Sequence, residues 1–240
     1  MFSPLRPIRP FVLAAAALAT AAVAPLHPLQ ADLARDVETA WQEERFEGKT
    51  PNRWRDGDEG LVVETEASVS MLGRPVRADL ARTPLLRWRW RVDTDTPATD
   101  LTRKGGDDRA IALYLGFPWI PEQASFKERL TRPLVELAKG ADAPGRVISY
   151  VWGGDRARGS LMRSPYMGDS GALIVLRPAG TPLNVWQSEE IDIAADYRRA
   201  FGAEPPATVT LIGLAADSDD TGSRSRAVIR DLHFAPAGNR

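Results

Sequence analysis

Between Leu85 and Phe117 the chain alternates apolar and polar residues twice over. In LLRWRWRV, Trp88, Trp90 and Val92 fall on one face and Arg87, Arg89 and Arg91 on the other. In DRAIALYLGF, Ile111, Leu113, Leu115 and Phe117 share a face, and Asp108, Ala110, Ala112, Tyr114 and Gly116 share the opposite one. A period of two is that of a strand with one buried side, so both runs are predicted strands. If they pair through the connector TDTPATDLTRKGG, their apolar sides build core and their Arg, Tyr and Asp sides lie together.

The same reading extends along the chain. Leu33 to Arg45 has an amphipathic pattern, and Arg53 to Gly57 reads as a turn into a strand over 61–66. A strand over 68–72 is broken at Gly73 and Pro75 before another over 76–80. From Pro121 to Lys139 the period changes: Phe126, Leu130, Leu134 and Leu137 have helical spacing, Gly140 is a stop, and Pro133 is expected to split the segment into two short helices. Strand patterns return over 146–152, 172–176, 183–193, 209–214 and 227–234, with a Gly- and Arg-rich loop over 153–171. Asp192 is placed to cap a short helix through Tyr197 to Phe201, closed by Gly202. The expected class is all-β, a jelly-roll β-sandwich with a short helical insertion.

The first thirty-one residues stand apart. Arg6 and Arg9 precede an Ala-rich apolar run from Phe11 to Ala24, the form of an export signal. That run is 14 residues long, short of the ~20 that span a bilayer. Residues 1–31 are therefore expected to be a signal peptide and 32–240 a single sandwich domain, periplasmic or secreted and without a membrane anchor. A chain with no Cys excludes a lipidated Cys, a disulfide framework and a thiol nucleophile. With 31 basic against 32 acidic residues, well mixed, there is no field to draw nucleic acid or an anionic membrane.

The motifs LRWRWRV, KGGDDRAIALYLGF, SYVWGG, DYRRAFG and LAADSDDTGSRSRAVIRDLHF, in that order, resemble a bacterial family catalogued as domain of unknown function 3047, over roughly Trp41 to Phe234. Glu190 stands where that family is expected to carry a basic or polar residue. The resemblance implies an exported jelly roll related to galactose-binding-type domains, an architecture of many carbohydrate-binding modules. It implies no activity.

Candidate chemistry is sparse. The only histidines are His27 and His233, too few for a His-rich zinc site, and no G-x-S-x-G elbow supports a triad. In Glu190-Ile191-Asp192-Ile193 a glycosidase-like carboxylate strand finds Ala194 at its second acidic position. Retaining hydrolysis needs two carboxylates about 5–5.5 Å apart. The acidic turn places Asp217, Asp219 and Asp220 before Gly222, a candidate calcium loop that would draw further ligands from elsewhere, Asp107 or Asp108 among them, although Val228 occupies the twelfth position of an EF-hand count and excludes that motif. These three charges need neutralising, either by Arg224 and Arg226 or by calcium; no other cofactor is expected. Arg87, Arg89, Arg91, Asp108 and Tyr114, with Trp119 and Trp152 at strand ends, are the expected lining of a ligand groove. The sequence thus points to a non-catalytic binding domain for a glycan or another cell-envelope component. Two alternatives stand beside it: an envelope polysaccharide hydrolase with Glu189, Glu190 and a distant Asp as its acids, and a periplasmic protein-interaction domain.

Overall fold

A computed structural model describes residues 41–238; the expected signal peptide and the segment over 33–40 lie outside them. Strands β1 (Gln42–Arg45), β2 (Arg53–Gly57), β3 (Gly60–Glu66), β4 (Val69–Asp79), β5 (Leu85–Thr94) and β6 (Arg109–Phe117) precede helix α1 (Phe126–Lys139). After it come β7 (Arg146–Trp152), β8 (Leu161–Ser164), β9 (Gly168–Arg177) and β10 (Gln187–Asp192), helix α2 (Ile193–Phe201), and strands β11 (Thr208–Asp217) and β12 (Arg224–Ala235). They form a seven-stranded sheet, β1-β4-β11-β6-β7-β9-β8, and a five-stranded sheet, β10-β5-β12-β3-β2. All neighbours are antiparallel except β7 and β9. The protein is mostly β, a two-sheet sandwich of jelly-roll type.

The two alternating runs do not pair. β5 lies between β10 and β12, and β6 between β11 and β7, so the connector carries the chain from one sheet to the other. Alternation specifies which side of a strand is buried and leaves its neighbour open. The apolar sides meet face to face instead of side by side. Trp88 and Trp90 are buried at 1% and 0% exposure and reach across to β7, with Trp88 5.9 Å from Tyr150 and Trp90 edge-on to Trp152 at 5.7 Å. Such aromatic pairs contribute about 0.5–1.5 kcal/mol beyond the area they bury. The outward sides of β5 and β6 therefore sit on opposite surfaces of the sandwich.

β6 is buried on both sides along most of its length. On its outer side Ala112 packs with Val151, Leu173 and Val175 under Leu101, which the connector folds back over the sheet. Gly154 permits this: a Cβ there would come 2.5 Å from Leu101 Cδ1, and its φ of +78° suits glycine.

Three expected boundaries shift. β4 runs unbroken through Gly73 and Pro75, because β1 pairs only as far as Gly73 and the β11 register slips between Val209 and Leu211, beside Pro75. Pro75 thus has no β1 partner among the described residues and faces Leu211 at the edge of the register slip, an irregular point of the ladder where proline is tolerated. Arg53–Gly57 is itself a strand, hairpinned to β3. Pro133 does not split α1. The helix opens on a Ser125/Glu128 capping box, and buried Arg132, beside Pro133, spans the break by bonding Glu136 Oε1 at 2.8 Å and Ala141 O at 3.0 Å. Helix α2 follows the sequence pattern: Ala195 N donates to Asp192 Oδ1 at 2.9 Å, and Gly202 closes it at φ 64°.

Candidate functional site

The outer side of the five-stranded sheet is a field of arginines, most of them matched to acids. Arg87 Nε lies 2.7 Å from Glu190, Arg55 Nη2 2.9 Å from Glu64, and Arg91 Nε 2.6 Å from Asp93. Arg91 also meets Glu59, Arg226 meets Asp93 and Glu64, and Arg224 meets Glu66. Two arginines break the rule. Arg89 has no ion pair among the described residues, and Arg230 has only a 3.5 Å contact to its neighbour Asp231. The Nε atoms of both are shielded from solvent without a hydrogen-bond acceptor among the described residues.

What these two touch is Trp186. The Arg230 Cζ lies 4.2 Å from the indole centroid, with Arg91 at 5.0 Å and Arg89 at 5.5 Å. Trp186 continues the outward row Trp186, Ser188 and Glu190 of β10, whose register sets Gln187 opposite Trp90. Asn184, at φ 61°, turns the chain into this strand and donates its N–H to Val92 O at 2.9 Å. The indole is part-exposed, and Val185 and Leu183 beside it are 48% and 40% exposed. Guanidiniums gathered on an indole put positive charge beside an apolar ring at the sheet surface, an arrangement that suits an anionic ligand with an apolar face.

The expected groove residues do not converge. Arg87 is tied to Glu190, and Arg89 and Arg91 join the Trp186 cluster. Tyr114 and Asp108 belong to the other sheet's end of the molecule: Arg109 Nη2 donates to Tyr114 Oη at 2.8 Å. The Asp108 carboxylate accepts from Thr221 N at 2.8 Å and Asp220 N at 3.3 Å, bracing the acidic turn. Trp119 is half-buried with Arg132 5.0 Å from its ring. Trp152 is a correction, since it has 0% exposure inside the core and presents no face to a ligand. Trp186 and Arg230 went unnoticed because the sequence does not name β10 and β12 as the neighbours of β5.

The carboxylate pair also separates. Glu189 points inward with a side chain 2% exposed, held by Arg177 Nε at 2.6 Å, Arg158 Nη2 at 3.0 Å and Trp90 Nε1 at 3.1 Å. Glu190 points outward to Arg87. Adjacent strand residues face opposite sides, so these two acids share no cleft.

At the acidic turn, Asp217 ends β11 and is buried, Asp219 is part-buried and Asp220 is exposed. Carboxylate oxygens of Asp108, Asp217 and Asp219 lie within 4.8 Å of one another, so Asp108 takes the place expected for Asp220. Arg224 and Arg226, expected to neutralise the turn, pair instead with Glu66, Glu64 and Asp93. The cations present are Arg109, 3.6 Å from Asp217 and 2.9 Å from Asp107, and Lys49 on Asp219.

Among solved structures the chain is similar to a family 11 carbohydrate-binding module of the cellulosomal cellulase Lic26A-Cel5E of Clostridium thermocellum. Identity is 9%, with 84% of this chain and 90% of that chain covered and a TM-score of 0.40. It is similar also to the xyloglucanase domain of NopAA, a type three effector from Sinorhizobium fredii, solved with cellobiose. There the identity is 10%, the shares 82% and 93%, and the TM-score 0.41. No curated protein matches the chain. The family described as "Protein of unknown function (DUF3047)" matches residues 39–233, and the chain belongs to that family.

Proposed function

We propose that this protein is a non-catalytic binding domain for an acidic saccharide, held on the outer side of the five-stranded sheet by Trp186, Arg89 and Arg230. One observation carries the reading: on a face where most arginines are closely paired with carboxylates, Arg89 has no ion pair among the described residues, Arg230 has a 3.5 Å contact to Asp231, and both lie against one part-exposed indole. A pyranose ring offers C–H groups to the indole, and a carboxylate or sulfate on it accepts from the free guanidinium N–H groups. The apolar segment from Phe11 to Ala24 supports a setting outside the cytoplasm, where envelope glycans are met. Hydrolysis by Glu189 and Glu190 draws no support from the geometry, because the two carboxyl groups must flank one bound glycosidic bond and these two point to opposite sides of the sheet.

The test is a glycan array sorted by charge, probed with residues 32–240 and with the Arg89→Gln/Arg230→Gln variant. Gln keeps part of each stem packed while removing the charge. Signal concentrated on uronate- or sulfate-bearing glycans, and lost in the variant, is expected. Signal that ignores charge would refute the acidic-ligand reading.

A further inference from the structure

The chain holds a second charge imbalance, of opposite sign, at the far end of the other sheet. Asp107 and Asp108 precede β6, while Asp217, Asp219 and Asp220 end β11 and form the turn beyond it. The direct ion pairs these five carboxylates make among the described residues are to Arg109 and Lys49. Asp108 is 0% exposed and Asp217 7% exposed, so solvent screens neither well. Buried carboxylates in excess of their partners cost several kcal/mol each unless something neutralises them.

Asp217 Oδ1 is shielded from solvent and accepts no hydrogen bond among the described residues. One carboxylate oxygen from each of Asp108, Asp217 and Asp219 lies within 4.8 Å of the other two, close enough for a single hard cation to bridge all three, and a set of carboxylates at a loop is the donor type that calcium takes.

From this geometry we infer a calcium site formed by Asp108, Asp217 and Asp219, joining the end of β11 to the chain entering β6. The site is separate from the saccharide surface and does not depend on it. Asp108 is already fixed by the backbone N–H groups of Asp220 and Thr221, so the turn is shaped before the ion arrives. Lys49, whose ammonium rests on Asp219, is the internal competitor that calcium displaces. Backbone carbonyls and water complete the six to eight oxygens that calcium takes, as it does in other oxygen-rich loops.

The test begins with protein stripped by a chelator, followed by thermal melting and calorimetric titration with calcium chloride and, separately, magnesium chloride. Calcium is expected to bind at one site and to raise the melting temperature by roughly 5–10 °C at a hundredfold excess over Kd. Asp217→Asn and Asp219→Asn, each checked for a native melt without metal, should abolish that rise. Lys49→Met should tighten calcium binding severalfold by removing the competing ammonium. An unresponsive wild-type protein, a response retained in both Asn variants, or an equal response to magnesium would overturn the assignment.

Discussion

Arg89 and Arg230 against Trp186, and Asp108 with Asp217 and Asp219, are mirror images in charge. The first has cations with few acids on an outer sheet surface; the second has acids with few cations at a buried strand end. Between them lies Glu189, equally buried but saturated, with two guanidiniums and an indole N–H on its carboxylate. In a chain whose formal net charge is -1, matching is the rule, so a local mismatch is information. A buried charge that is fully paired holds the fold together; one left over marks a place for something else.

The largest expected effect comes from the saturated region. Glu189→Ala strands Arg177 and Arg158 and should cost about 3–5 kcal/mol, read from chemical denaturation. Trp90→Ala, which empties core space and deletes the same indole donor, should cost a similar ~3–5 kcal/mol. Asp217→Asn should do the reverse, because the lost group is a carboxylate in surplus. In metal-free buffer its melting temperature is expected to match or exceed that of the parent. A loss comparable to Glu189→Ala would erase the contrast. Arg89→Gln/Arg230→Gln should change stability by under about 0.5 kcal/mol, since neither guanidinium satisfies a buried acid.

The smallest effect concerns Asp196, whose carboxyl is pushed upward by burial despite a 3.1 Å hydrogen bond from Tyr150 Oη. A carboxyl with a raised folded pKa binds its proton more tightly in the native state, so it adds stability as pH falls through that pKa. Asp196→Asn should flatten this part of the pH–stability curve and shift stability at neutral pH by less than about 0.5 kcal/mol. A steeper curve in the variant would show the shift to be downward.

Much of the architecture was legible in the alternation. Trp88, Trp90, Ile111, Leu113 and Leu115 are buried as their positions predict, and the Asp192 cap and Gly202 stop stand where expected. Strand partnership was not legible, because a period of two is the same whichever strand lies alongside. That single gap accounts for the groove drawn from Arg87, Arg89, Arg91, Asp108 and Tyr114, which places two opposite surfaces on one. It also concealed Trp186 and Arg230, each on its own strand and adjacent only once β10, β5 and β12 are laid side by side. The acidic turn fared better, since Asp217, Asp219 and their glycine are neighbours in sequence. From the distant pair Asp107 and Asp108, both candidate further ligands in the sequence, the structure brings the Asp108 carboxylate to the turn across the end of the sheet.

The most direct measurement is calorimetric titration of residues 32–240 with an oligouronate and with the same oligosaccharide after its carboxylates are reduced to alcohols. The account predicts saturable binding of the acidic form that weakens with salt, and none of the neutral form. It predicts loss of that binding in Trp186→Ala and in Arg89→Gln/Arg230→Gln. Equal affinity for the two forms, or acidic binding that survives in both variants, would contradict it.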